Sequence, residues 1–309
     1  VPVAGILVAV LVILATRWRA IAASQPAYLL TLLVVGAVSV VAVTWSLVDV
    51  GRDHHRFRER SRARVVAARG LGIAGTAVLV IGLVWLRPLP ASDVAVAAMS
   101  GTPAVRVLDS ASRIDLVPTG HTAVTGMIFY PGALVDPRAY VPLLTTMAAH
   151  GFPVVVVKPP YGIAFLASGA PAGIIGGLPA VRRWVIGGHS LGGVVASSYA
   201  GAGHAGVDGL LLWASYPNGS IASATSLLVT SVAAGNDGLA TPAKIEASRR
   251  DLPPDTRYTT VAGAVHADFG DYGTQRGDGT PTISRADAQQ QIEAASLDLL
   301  RRVDERPGP

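Results

Sequence analysis

Between Pro26 and Val48 the chain runs about 23 residues without a charged side chain, about what a helix needs to cross a hydrocarbon core at ~1.5 Å per residue. A globular helix of that length would show a polar face, and this one has none. Two shorter apolar stretches flank it: Val1–Thr16, and Leu71–Leu86, which extends backwards if Arg69 snorkels to the interface. The sequence therefore predicts about three transmembrane helices, over residues 1–16, 26–48 and 69–86, within a membrane region covering residues 1–90. The competing reading of the first stretch is the core of a signal peptide. It is weakened by the lack of a charged flank before it and by the stronger span that follows.

Charge divides the chain at the same place. Residues 1–90 hold ten Arg against Asp49, Asp53 and Glu59, a balance of +7; the remaining fifteen basic and seventeen acidic side chains leave residues 91–309 at −2. The net charge of +5 thus belongs to the N-terminal part. A nucleic-acid-binding domain needs a basic folded surface, so that class is excluded. Seven Arg (52, 56, 58, 60, 62, 64 and 69) crowd the loop 51–70 between the second and third spans. Arg-rich short loops stay in the cytoplasm. Alternation then places everything after Pro88 outside, an extracytoplasmic location at a cell membrane. Arg outnumbers Lys 23 to two, with only Lys158 and Lys244, which reflects a GC-rich bacterial genome. No Cys is present, so disulfides, thiolate metal sites and a Cys nucleophile are ruled out.

From about Ala91 the texture changes to short apolar runs of strand length separated by helical stretches. Runs at 104–108 and 114–117 suggest an antiparallel start. Further strands are expected at 126–130, 153–157, 184–188, 209–214, 227–233 and 258–261. Helical spacing covers Pro137–His150 and Leu191–Ala202, and Ser284 with Asp287 carries a capping-box signature for a last helix reaching about Val303. Alternation of this kind predicts an α/β domain over residues 91–309, its mostly parallel sheet covered by helices on both faces.

Gly188-His189-Ser190-Leu191-Gly192-Gly193 follows one expected strand and opens one expected helix. It fits G-x-S-x-G, a sharp strand-to-helix turn that lifts a serine hydroxyl above the sheet. The glycines leave room for the turn, and the amide of Leu191 lies at a helix N-terminus, where it can bind an oxyanion. A serine nucleophile needs a base, and the base needs a carboxylate. On this kind of elbow the partners follow in the order acid, then histidine. Of seven His, only His266 lies after the last strand; the others precede the nucleophile, adjoin it, or end its helix. Asp237, in the turn Ala234-Gly235-Asn236-Asp237-Gly238 after the 227–233 strand, is the first candidate for the acid. Asp208 and Asp255 remain alternatives. A second oxyanion donor is expected from Tyr130-Pro131-Gly132-Ala133, with the amide of Ala133 as candidate.

Two other motifs carry no function of their own. Asp268-Phe269-Gly270 lacks the loops a kinase would need, and Arg276–Pro281 lacks the alternating carboxylates of a calcium loop. Both are expected to be loops near the site.

Taken in order, the Ala133 loop, the Ser190 elbow, the Gly235–Gly238 turn and the stretch Gly263–Pro281 resemble the alpha/beta hydrolase superfamily. More narrowly they look like membrane-tethered bacterial members of its dienelactone-hydrolase-like branch, over about Gly126 to Leu300. The chain departs from that branch in having Ser190 where a Cys is usual, and Pro131-Gly132 where His-Gly is usual. The resemblance implies the alpha/beta hydrolase fold and hydrolysis of an ester or related acyl bond in a small-molecule or lipid-like substrate, with no cofactor or metal. The apolar segment Tyr161–Leu166 is expected to line an acyl pocket, and the short Pro217–Ser226 connection to exclude a large lid there. Rival readings are a membrane-anchored binding protein without turnover, and an acyltransferase or peptidase on the same triad. Oligomeric state is left open.

Overall fold

The computed structural model describes residues 2–50 and 62–307. The chain divides into two compact units, residues 1–22 with 26–88, and residues 23–25 with 89–309.

The first unit contains helices α1 (Pro2–Ala23), α2 (Ala27–Val50) and α3 (Arg62–Trp85). Helix α1 continues past its expected end at Thr16, because Arg17, Trp18 and Arg19 are compatible with helix. It stops just ahead of Ser24-Gln25-Pro26. Val3–Ala23 and Ala27–Ser46 are long and apolar enough to cross a membrane. The expected third span lies within α3, where Arg69–Trp85 is a shorter apolar helix among the described residues. The expected Arg-rich loop is also divided. Residues 51–61 lie outside the described residues, and from Arg62 the chain is helical. The buried Tyr28 hydroxyl donates to the Leu83 carbonyl at 2.6 Å, a polar tie between α2 and α3.

The second unit opens with α4 (Asp93–Ala98) and builds one eight-stranded sheet. Its strands are β1 (Val105–Asp109), β2 (Arg113–Pro118), β3 (Thr125–Tyr130), β4 (Val154–Val157), β5 (Arg183–His189), β6 (Val207–Trp213), β7 (Leu228–Ala234) and β8 (Arg257–Val261). Each lies within a residue or two of its expected position, since short runs of β-branched and apolar residues bounded by turns favour strands. The order is β1-β2-β4-β3-β5-β6-β7-β8. The β1–β2 and β2–β4 pairs are antiparallel and the rest parallel. The crossovers carry α5 (Val141–Ala149), α6 (Ala170–Gly177), α7 (Leu191–Gly201) and α8 (Pro242–Ala247), and α9 (Arg285–Asp304) ends the domain.

Strand side chains alternate between two cores, as a period of two requires. Met127, Phe129, Val185 and Leu211 pack with α5 and α9 on one face. Ile128, Tyr130, Ile186 and Leu212 pack with α6 and α7 on the other. On the first face the buried Trp213 indole donates to Ser296 Oγ at 3.0 Å, which satisfies its one donor and fixes α9 against β6. The Ser284 cap forms as expected, its Oγ accepting from the Asp287 amide at 3.1 Å. The β6–β7 connection carries no helix. All parallel strands thus present their carboxyl ends to one rim, where loops can converge.

Candidate active site

Ser190 stands between β5 and α7 with φ 52° and ψ −123°, a region costly for a residue with a Cβ. Its neighbours hold it there. Its amide donates to the Trp213 carbonyl at 2.9 Å, and its carbonyl accepts from Ser215 Oγ at 2.6 Å and the Gly193 amide at 3.0 Å. A side chain on Gly188 would overlap the Gly192 backbone, and one on Gly192 would overlap the Tyr130 carbonyl. These contacts explain the elbow's glycines as steric necessities. Three further non-glycine residues with positive φ, Leu134 (61°), Tyr161 (55°) and Ala214 (43°), lie in the loops after β3, β4 and β6.

Asp237 follows β7, and its side chain is fully buried. Oδ1 accepts from the amides of Leu239 (2.7 Å) and Ala240 (2.8 Å), while Oδ2 lies 2.8 Å from His266 Nδ1. With a carboxylate as acceptor, Nδ1 carries the hydrogen and Nε2 keeps its lone pair, the tautomer a general base needs. Nε2 is buried and has no hydrogen-bond partner among the described residues. The structure thus joins Asp237 to His266 and brings Ser190 to the same rim, without a hydrogen bond from Ser190 Oγ to His266 Nε2. Such contacts often tighten only with substrate bound. Asp208 starts β6 at the opposite edge, 3.7 Å from Arg306, and Asp255 precedes β8, so neither reaches the rim.

The two candidate oxyanion donors belong to adjoining loops, since a Cβ on Gly192 would overlap the Tyr130 and Pro131 carbonyls. Leu191 is the first residue of α7, and neither its amide nor that of Ala133 donates a hydrogen bond among the described residues. Ala133 lies between fixed neighbours, since the Gly132 amide donates to Tyr140 Oη at 2.9 Å and the Leu134 amide to the Gly162 carbonyl at 2.9 Å. The segment expected to line an acyl pocket therefore meets the Ala133 loop at Gly162, and its Phe165 and Leu166 are exposed. Among the described residues no three His, Asp or Glu side chains are grouped to hold a metal ion.

Asp278, which the sequence places only in a loop near the site, ties the acid and base loops together. Oδ1 accepts from His266 N (3.1 Å), Gly238 N (3.3 Å) and Gly279 N (2.7 Å), and Oδ2 accepts from Ala267 N (2.9 Å). Asp278→Ala is expected to lower kcat roughly 10- to 100-fold at nearly constant KM, the scale of a small misplacement of a reacting group. Steady-state kinetics on a soluble ester check this; unchanged kcat would mean that the two loops hold their own positions. The Asp268-Phe269-Gly270 stretch is structural: Asp268 Oδ2 accepts from Val265 N at 2.9 Å, and Phe269 stacks on His189 at 5.7 Å.

In sequence, residues 126–291, more than half of the chain, match the Alpha/beta hydrolase family. No curated protein matches the chain. Among solved structures, a protein from Thermus thermophilus is similar at 14% identity with TM-score 0.50, covering 66% of this chain and 99% of its own. Carboxyl esterase 2 from Tuber melanosporum is similar at 14% identity with TM-score 0.49, covering 66% and 88%. A thermostable esterase from Pseudomonas putida is similar at 14% identity with TM-score 0.47, covering 68% and 88%. At such identities these likenesses concern the fold alone.

Proposed function

The chain belongs to the alpha/beta hydrolase family, and from that premise we propose that it is a membrane-anchored serine hydrolase cleaving an ester or related acyl bond. The observation that carries the reading is the buried Asp237–His266 pair at 2.8 Å, its Nε2 unpartnered at the rim where the strained elbow presents Ser190. His266 Nε2 takes the proton of Ser190 Oγ as the oxygen bonds to the acyl carbon. The amides of Leu191 and Ala133 receive the negative charge that develops on the carbonyl oxygen. His266 then returns the proton to the leaving alcohol as the acyl–oxygen bond breaks. Water, deprotonated by the same nitrogen, releases the acid and restores Ser190. Asp237 fixes the tautomer and stabilises the imidazolium. Phe165 and Leu166 supply apolar surface beside the oxyanion loop for the acyl chain of a small-molecule or lipid-like substrate.

A fluorophosphonate probe tests the nucleophile: the wild-type chain labels at Ser190 and Ser190→Ala does not. Equal labelling of both would discard the assignment. The order of the Ala133 loop, the Ser190 elbow, the Gly235–Gly238 turn and the stretch Gly263–Pro281 supports a place in the dienelactone-hydrolase-like branch of bacterial members, from which Ser190 and Pro131-Gly132 are departures. The apolar α1 and α2 support the anchor, the Arg-rich stretch beyond α2 supports a cytoplasmic side there, and the apolar Arg69–Trp85 of α3 supplies the third crossing that an outward catalytic domain requires. A reporter active only in the cytoplasm, fused after Pro309, should stay silent; an active one overturns the orientation.

A further inference from the structure

We propose that Tyr140 and His189 are positioning residues of this reaction, a buried hydrogen-bonded pair that locks the oxyanion loop to the nucleophile elbow. The inference rests on the serine-hydrolase reading and adds to it two groups that the mechanism does not use. Tyr140 ends the 3₁₀ turn Pro137–Tyr140 that leads into α5, and its side chain is wholly buried. Its hydroxyl accepts from the Gly132 amide at 2.9 Å and lies 2.8 Å from His189 Nδ1. A phenol has one hydrogen. With the Gly132 N–H already pointing at the oxygen, that hydrogen goes to Nδ1, which must be an acceptor. The His189 ring therefore carries its own hydrogen on Nε2.

That nitrogen is buried without a hydrogen-bond partner among the described residues, and the centroids of the His189 and His266 rings lie 4.4 Å apart. Burial, with His266 alongside, holds His189 well below the ordinary histidine range, so the ring stays neutral. Phe269 from the turn of His266 stacks on it, and Phe129 packs against Tyr140 at 5.1 Å. The pair thus touches the oxyanion loop, the elbow and the base loop at once. Gly132 closes the lock, since a Cβ there would lie 2.7 Å from His189 Nδ1 and 3.1 Å from Tyr140 Oη. With Gly132 fixed on one side and Leu134 on the other, the free amide of Ala133 has one direction in which to point.

Tyr140→Phe removes the bridging hydroxyl and nothing else. In the purified full-length chain it is expected to lower kcat about 10- to 100-fold while KM for a soluble ester stays within about threefold, the mark of a contact felt in the transition state. Affinity for an alkyl boronic acid, which forms a tetrahedral adduct on the serine, should fall by the same factor. His189→Gln keeps an acceptor for the hydroxyl and should retain about tenfold more turnover than His189→Leu. Histidine ¹⁵N NMR of the wild type should show His189 protonated at Nε2 and bare at Nδ1, a reading that stands even where a variant fails to fold. An Nδ1-protonated His189, or a folded Tyr140→Phe with turnover within twofold of wild type, overturns the proposal. If wild type neither turns over esters nor labels at Ser190, the hydrolase reading fails first, and the tautomer measurement tells the two failures apart.

Discussion

Replacing Ser190 by alanine is expected to lower ester turnover by roughly 10⁴- to 10⁶-fold, with little change in KM and little change in melting temperature. The effect on rate is large because no other side chain can take the acyl group. Its partner His266 keeps its tautomer in the variant, but has no hydroxyl to deprotonate. What survives is the catalysis that the amides of Leu191 and Ala133 give to direct attack by water. Stability is spared because, among the described residues, no hydrogen bond of Ser190 Oγ holds the elbow. Those that do run through its backbone, to Trp213, Ser215 and Gly193. Steady-state hydrolysis and a melting curve are the two measurements. A Ser190→Ala enzyme within tenfold of wild type would remove the nucleophile from the mechanism.

Asp237→Asn should cost about 10⁴-fold in kcat at neutral pH, although it changes one atom. The geometry dictates why. One oxygen of Asp237 accepts two backbone amides, from Leu239 and Ala240. An asparagine must keep its carbonyl oxygen there, because an NH₂ group cannot face two N–H donors. The NH₂ then faces His266 Nδ1, which has to become the acceptor. The imidazole hydrogen moves to Nε2, the atom that should take the serine proton. The matched control is Asp208→Asn, at the opposite edge beside Arg306, for which kcat should be unchanged. If Asp237→Asn keeps kcat within tenfold, or if the control falls with it, Asp237 is not the orienting acid.

Much of this was legible in the chain itself. Strand positions could be read because buried parallel strands are nearly pure apolar runs, as in Val154–Val157. The elbow was legible because its steric demands leave only glycine at Gly188 and Gly192. His266 followed from chain order. The apolar runs of the N-terminal unit were legible for the same reason as the strands, and the third reappears as Arg69–Trp85 of α3. Asp278 escaped because its partners are backbone amides, which no side-chain pattern records. The Tyr140–His189 contact escaped for a related reason. It joins residues 49 positions apart, and in sequence Tyr140 is indistinguishable from an apolar helix residue.

Among the described residues, the four non-glycine residues held at positive φ all lie in loops after β3, β4, β5 and β6. Each such conformation costs on the order of 1–3 kcal/mol, and the expense falls along the rim where the parallel strands end. A lineage released from selection for turnover would have every thermodynamic reason to let glycine or asparagine drift into those places. Discomfort gathered along a single border is what a working site demands of its loops, and its release can be sought in homologues whose signature serine has been lost.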